Sequence, residues 1–137
     1  MSAPLEIALF GCAGFQAVTA LVNLGLERIL RWGPELQRVP LLLQQVHRVH
    51  AWFISVTVAL FAVLTTRFAA EMAAGTNEAL RWLAGGMAVF WTLRVGLQLG
   101  YYSRTHWRSH AGRTAIHVAA LVGFTAMAAC YWRVLVV

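Results

Sequence analysis

The chain has 137 residues, enough for one compact domain, yet 60% of them are hydrophobic and only 12% are charged, with a mean hydropathy of +0.65. A soluble globular domain carries about a quarter charged residues, so half that share points to lipid as the main solvent. The net charge of +6 comes from eleven Arg against five Glu, with no Lys and no Asp; this excludes lysine Schiff-base chemistry and any site built on Asp, and because the arginines flank apolar runs it favours anionic lipid headgroups over nucleic acid.

A membrane-spanning helix needs roughly 20 mostly apolar residues. Four runs are expected to supply one each, at approximately 5–26, 47–70, 79–102 and 114–135. The first lacks a basic segment before it and is too long for the core of a signal peptide, so it is expected to stay in the mature protein. It carries Gln16, Asn23 and Glu27 at helical spacing, polar toward its C-terminal end.

The connection that follows, "ERILRWGPELQRVPLLLQQVHR", breaks at Gly33-Pro34. Residues 34–38 are expected to form a short interfacial helix, and Pro40 can open a new helix that runs into the second span. His47 and His50 share a face there as an i, i+3 pair. Ser55, Thr57 and Thr65 of the second span are expected to hydrogen-bond backbone or a neighbouring helix, not to act as nucleophiles. Gly75 should end the second long helix, with Thr76 or Asn77 capping the third.

The third span carries Arg94, Gln98 and Tyr101 on one stripe, and a GxxxG at Gly96 and Gly100 that could serve the bundle or a homodimer. "THWRSHAGRTAIH" then leads into the fourth span with His106, His110 and His117. Cys12 and Cys130 lie in apolar runs without a CxxC and read as small buried hydrophobes.

Arginine bias sets the orientation. Arg28, Arg31, Arg38, Arg48, Arg104, Arg108 and Arg113 fall in the first and third connections, and Arg67, Arg81 and Arg133 on the opposite side. Both termini are therefore expected on the non-cytoplasmic side of a bacterial inner membrane. The expected fold is all-α: an integral membrane four-helix bundle, up-down and antiparallel, forming a single transmembrane domain.

All five histidines and the polar stripes then gather toward the cytoplasmic half. Lipid cannot satisfy such groups, so they are expected to face one another around a polar cavity. Arg94 left toward lipid costs at least ~2.5 kcal/mol, so it needs a partner: Glu27, Gln98, Asn23 or a ligand anion.

Three functions fit this pattern. In the first, haem b or a quinone is bound for electron transfer. His50 and His117 would ligate haem iron, Arg94, Gln98, Tyr101 and Asn23 would line the site, and Arg28, Arg31, Arg48 and Arg113 would neutralise the haem carboxylates. In the second, an Fe or Zn ion is held by His47, His50, His110 and His117 with Glu27, which would serve as general base on an apolar substrate. In the third, the polar stripes only hold helices together in an accessory subunit. The lipid bilayer is the expected partner, with a homodimer or a larger membrane complex left open and no nucleic acid.

Overall fold

The computed structural model describes residues 3–100 and 111–137. Among these the chain is all-helical, with no strand: α1 Ala3–Ile29, α2 Gly33–Leu36, α3 Leu41–Ala74, α4 Glu78–Gly100 and α5 Ala111–Val134. Tyr101, Tyr102, Arg104, His106, Trp107, Arg108 and His110 lie outside the described residues, as does the side chain of Arg113.

Three helices are long and apolar enough to cross a membrane: α1, α3 and, from Thr114, α5. The fourth expected span, α4, has 23 residues, about 34 Å at 1.5 Å per residue, which is sufficient length. It falls short in apolarity, because Arg94 and Gln98 interrupt its apolar run.

The helix ends follow local rules. Pro34 sits in the first turn of α2, where its missing N–H is no loss. α1 closes with Trp32 N–H donating to Glu27 O (3.0 Å) and Arg31 N–H donating to Arg28 O (3.3 Å), while Arg31 takes φ 56°. This is the Schellman arrangement, with Arg where glycine is usual. α3 closes at Gly75 (φ 67°), and Asn77 caps α4 by accepting from Leu80 N–H at 3.3 Å.

The chain divides into two compact units, Met1–Cys12 with Phe68–Val137, and Ala13–Arg67. In the first, α4 and α5 pack along their length and run antiparallel, since partners late in α4 meet residues early in α5. Arg81 donates to Leu135 O at 2.7 Å, Trp132 Nε1 donates to Thr92 Oγ1 at 3.0 Å, and Trp91 stacks on Phe124 with centroids 5.3 Å apart. Gly85 lets the end of α5 come close, because a Cβ there would already touch Leu135 at 3.5 Å. In the second unit Asn23 ties α1 to α3, donating to Ala51 O at 2.9 Å and to Ser55 Oγ at 2.8 Å.

The core holds large apolar side chains such as Leu9, Met72 and Trp91, yet the exposed surface is also strongly aliphatic, unlike that of a water-soluble domain. Gln16 and Thr65 are fully buried, as are many alanines, whereas Leu21, Val63 and Val122 are more than 60% exposed. Polar groups turned inward and large aliphatics turned outward are what a hydrocarbon solvent selects. The hydroxyls of Thr19, Ser55, Thr57, Thr66, Thr92 and Thr125 each donate to the carbonyl four residues earlier, so their own helices satisfy them.

Candidate functional site

The polar residues of the α4–α5 pair form one hydrogen-bonded row. Arg94 Nη1 donates to Gln98 Oε1 at 2.9 Å, and Gln98 Nε2 lies 2.6 Å from His117 Nδ1. Arg94 and Gln98 are one turn apart on α4, which brings their side chains together. The antiparallel register of α5 brings in His117. Gln98 is buried, and Arg94 and His117 are half-buried.

Aromatic rings extend the row toward Trp91. The Arg94 guanidinium lies over the Phe124 ring at 5.0 Å, and Phe124 in turn stacks on Trp91. A cation over an aromatic face is attracted by the ring quadrupole, more strongly where water is excluded. Trp91 is only 1% exposed, and its Nε1–H has no acceptor among the described residues. Trp91, Arg94 and Gln98 lie within about 60° of one face of α4. An indole N–H is a donor that buried sites normally satisfy, so its state calls for an explanation.

Of the other expected site residues, Asn23, Glu27, His47 and His50 lie in the second unit, and Tyr101 and His110 lie outside the described residues. Asn23 donates both amide hydrogens, to Ala51 and Ser55, which leaves only its carbonyl oxygen for another group. It acts there as a helix tie. Glu27 pairs with Arg48 at 3.8 Å, both partly exposed, a contact worth little in stability. His47 meets the edge of Trp32, with centroids 6.4 Å apart. His50 is exposed and its Nδ1 donates to Val46 O at 3.0 Å, which leaves the lone pair on Nε2.

The structure thus gathers three of the expected cofactor-binding residues, Arg94, Gln98 and His117, into one network. Among the described residues, no three His, Cys, Asp or Glu side chains come close enough to hold a metal ion. Sequence reading did not single out Trp91 or Phe124, because an aromatic stripe at helical spacing reads as ordinary core. The signal that could have found Trp91 is its place one turn before Arg94.

A separate apolar groove of about 340 Å³ runs between α1 and α3, lined by Ala17, Leu24, Trp52, Val56, Ala59 and neighbouring side chains. It offers surface to an apolar chain but has almost no polar group to orient one. No known family model, curated protein or solved structure matches the chain.

Proposed function

We propose that the protein is a small integral membrane subunit whose α4–α5 row seats a redox cofactor, a quinone or haem b, for electron transfer. In this reading the long helices complete an antiparallel four-helix bundle in a bacterial inner membrane, with both termini on the non-cytoplasmic side. The observation that carries it is the Arg94–Gln98–His117 row, a chain of polar groups held between helices whose other faces are aliphatic. Groups of this kind are costly in a bilayer, and functional sites are where they concentrate. Phe124 and Trp91, buried and stacked on each other, back the row with apolar packing.

A second reading has support of its own. Gln98 uses its oxygen toward Arg94 and its nitrogen toward His117, so the row also works as a clamp between α4 and α5 in a non-catalytic accessory subunit. Purification in mild detergent separates the two. Solvent extracts should contain stoichiometric quinone, or the visible spectrum should show a haem Soret band, and Arg94→Leu should lower the retained amount. If wild-type protein yields neither, and Arg94→Leu changes only the thermal unfolding temperature, the clamp reading replaces the redox one.

A further inference from the structure

The groove between α1 and α3 has little polarity of its own, but the helix faces that line it run into charge at one end. We propose that it is a binding site for an anionic glycerophospholipid, with one acyl chain in the groove and the phosphate held by Arg28 and Arg48. The two helices are antiparallel here, because Asn23 bonds Ala51 and Ser55 while Glu27 meets Arg48. Leu24 and Trp52 therefore line the end of the groove nearer Glu27, and Ala17 and Val63 lie toward the other.

The arginines lie on the groove faces. Arg28 follows Ala17 by eleven positions, three helical turns, so it sits within about 20° of the same face of α1. Arg48 precedes Trp52 by one turn and sits about 40° from it on α3. Both are exposed. Glu27 is the acid at this end, but its contact with Arg48 at 3.8 Å is longer than a hydrogen bond and does not use up the guanidinium donors. Two arginines against one glutamate leave this end positive, which favours a headgroup of net negative charge over a zwitterionic one.

The groove has the dimensions of a lipid tail. From Trp52 to Val63 is eleven residue steps, about 16 Å at 1.5 Å per step. Half of a hydrocarbon core of about 30 Å is nearly the same depth, so a chain hung from a headgroup at the arginine end reaches along the whole groove. The buried alanines Ala20 and Ala62 make the floor, and the exposed side chains of Leu21, Trp52 and Val63 make the walls. Trp52 stands at the charged end, where an indole suits the boundary between headgroups and tails. A helix 10 Å across would need over ~1,200 Å³ for the same length. The groove holds about 340 Å³, so a single acyl chain suits it better than another helix.

The test titrates the full chain in mild detergent with phosphatidylglycerol and with phosphatidylcholine of the same acyl chains, and counts bound lipid by native mass spectrometry. Wild-type protein should prefer phosphatidylglycerol. Arg28→Gln and Arg48→Gln should each weaken phosphatidylglycerol binding about fivefold and leave phosphatidylcholine unchanged, the effect of one arginine at a charged surface. Both positions are exposed, so the fold should be retained. Ala17→Phe puts a ring into the groove from an exposed position and should weaken both lipids at least about fivefold. Arg133→Gln, at the end of α5 and away from the groove, should change neither.

Equal binding of the two lipids by wild type overturns the proposal, as does unchanged selectivity in both Arg28→Gln and Arg48→Gln. Full binding in Ala17→Phe shows that the groove is not where the tail lies and overturns it too. Displacement of phosphatidylglycerol by inorganic phosphate would make the arginines a site for a free anion, and a wild-type dimer that Ala17→Phe dissociates would make a second copy the occupant; either result replaces the lipid.

Discussion

Gly75 and Arg31 both hold left-handed backbone, at φ 67° and φ 56°, and only one of them is a glycine. At Gly75 a Cβ would meet the Val137 backbone at 2.8 Å in addition to the conformational penalty. Gly75→Ala should therefore destabilise the protein by at least ~1–2 kcal/mol, read as a lower unfolding temperature in detergent. Arg31 is exposed and closes the Schellman turn of α1. Arg31→Gly should stabilise that turn by up to ~1 kcal/mol, and no change or a loss would mean that the arginine makes a compensating contact. The role of Gly75 was readable because Gly followed by Thr and Asn is a helix stop followed by a cap. Arg31 was not readable, because the left-handed cap prefers glycine and the nearby Gly33-Pro34 marks the break two residues late. Asn23 poses a different difficulty. A polar residue that ties two helices and one that lines a cavity leave the same mark in a sequence, a lone amide in an apolar run. Only the bonds to Ala51 and Ser55 distinguish them.

Among the helices, α4 differs from the others in needing a neighbour. Arg94 within an isolated apolar segment costs up to about 2.5–3.5 kcal/mol on insertion, the figure for a helix centre, whereas in the α4–α5 pair it donates to Gln98 and lies over Phe124. Glu78–Gly100 expressed alone should insert poorly into microsomal membranes, and Arg94→Leu should restore its insertion. The segment extended through α5 should insert with Arg94 in place. Efficient insertion of the lone wild-type segment would show that α4 does not depend on its partner. The sequence made part of this visible. The i, i+4 spacing of Arg94 and Gln98 puts them on one stripe, and a guanidinium in an apolar run demands a partner. Which residue of α5 completes the row depends on the register of the antiparallel pair. That register is set by large contacts such as Trp91 on Phe124 and Arg81 on Leu135 O, which no pattern within a single helix contains. Glu27, within the other unit, pairs with Arg48.

For the molecule as a whole, composition was the clearest signal, because solvent acts on every residue at once. A chain with few charges and long aliphatic runs can leave many aliphatic side chains outward while turning some amides and hydroxyls inward, and the exposure of Leu21, Val63 and Val122 beside the burial of Gln16, Ser55, Thr65 and Gln98 follows that rule. The same rule distinguishes a lipid-immersed surface from a watery one. In a water-soluble protein, arginine at an exposed position away from special contacts changes stability by less than about 0.5 kcal/mol. Val122 is 63% exposed near the middle of α5. If that face meets hydrocarbon, Val122→Arg should cost about 2.5–3.5 kcal/mol, because the charge has no partner there and is far from either interface. The measurement is the fraction of chain resisting carbonate extraction from membranes, with Val136→Arg as control, since Val136 follows the last helix and is 81% exposed. A large loss for Val122→Arg with little for Val136→Arg places the middle of α5 in the bilayer. Equal tolerance of both would mean that the outward aliphatic face meets water or another protein.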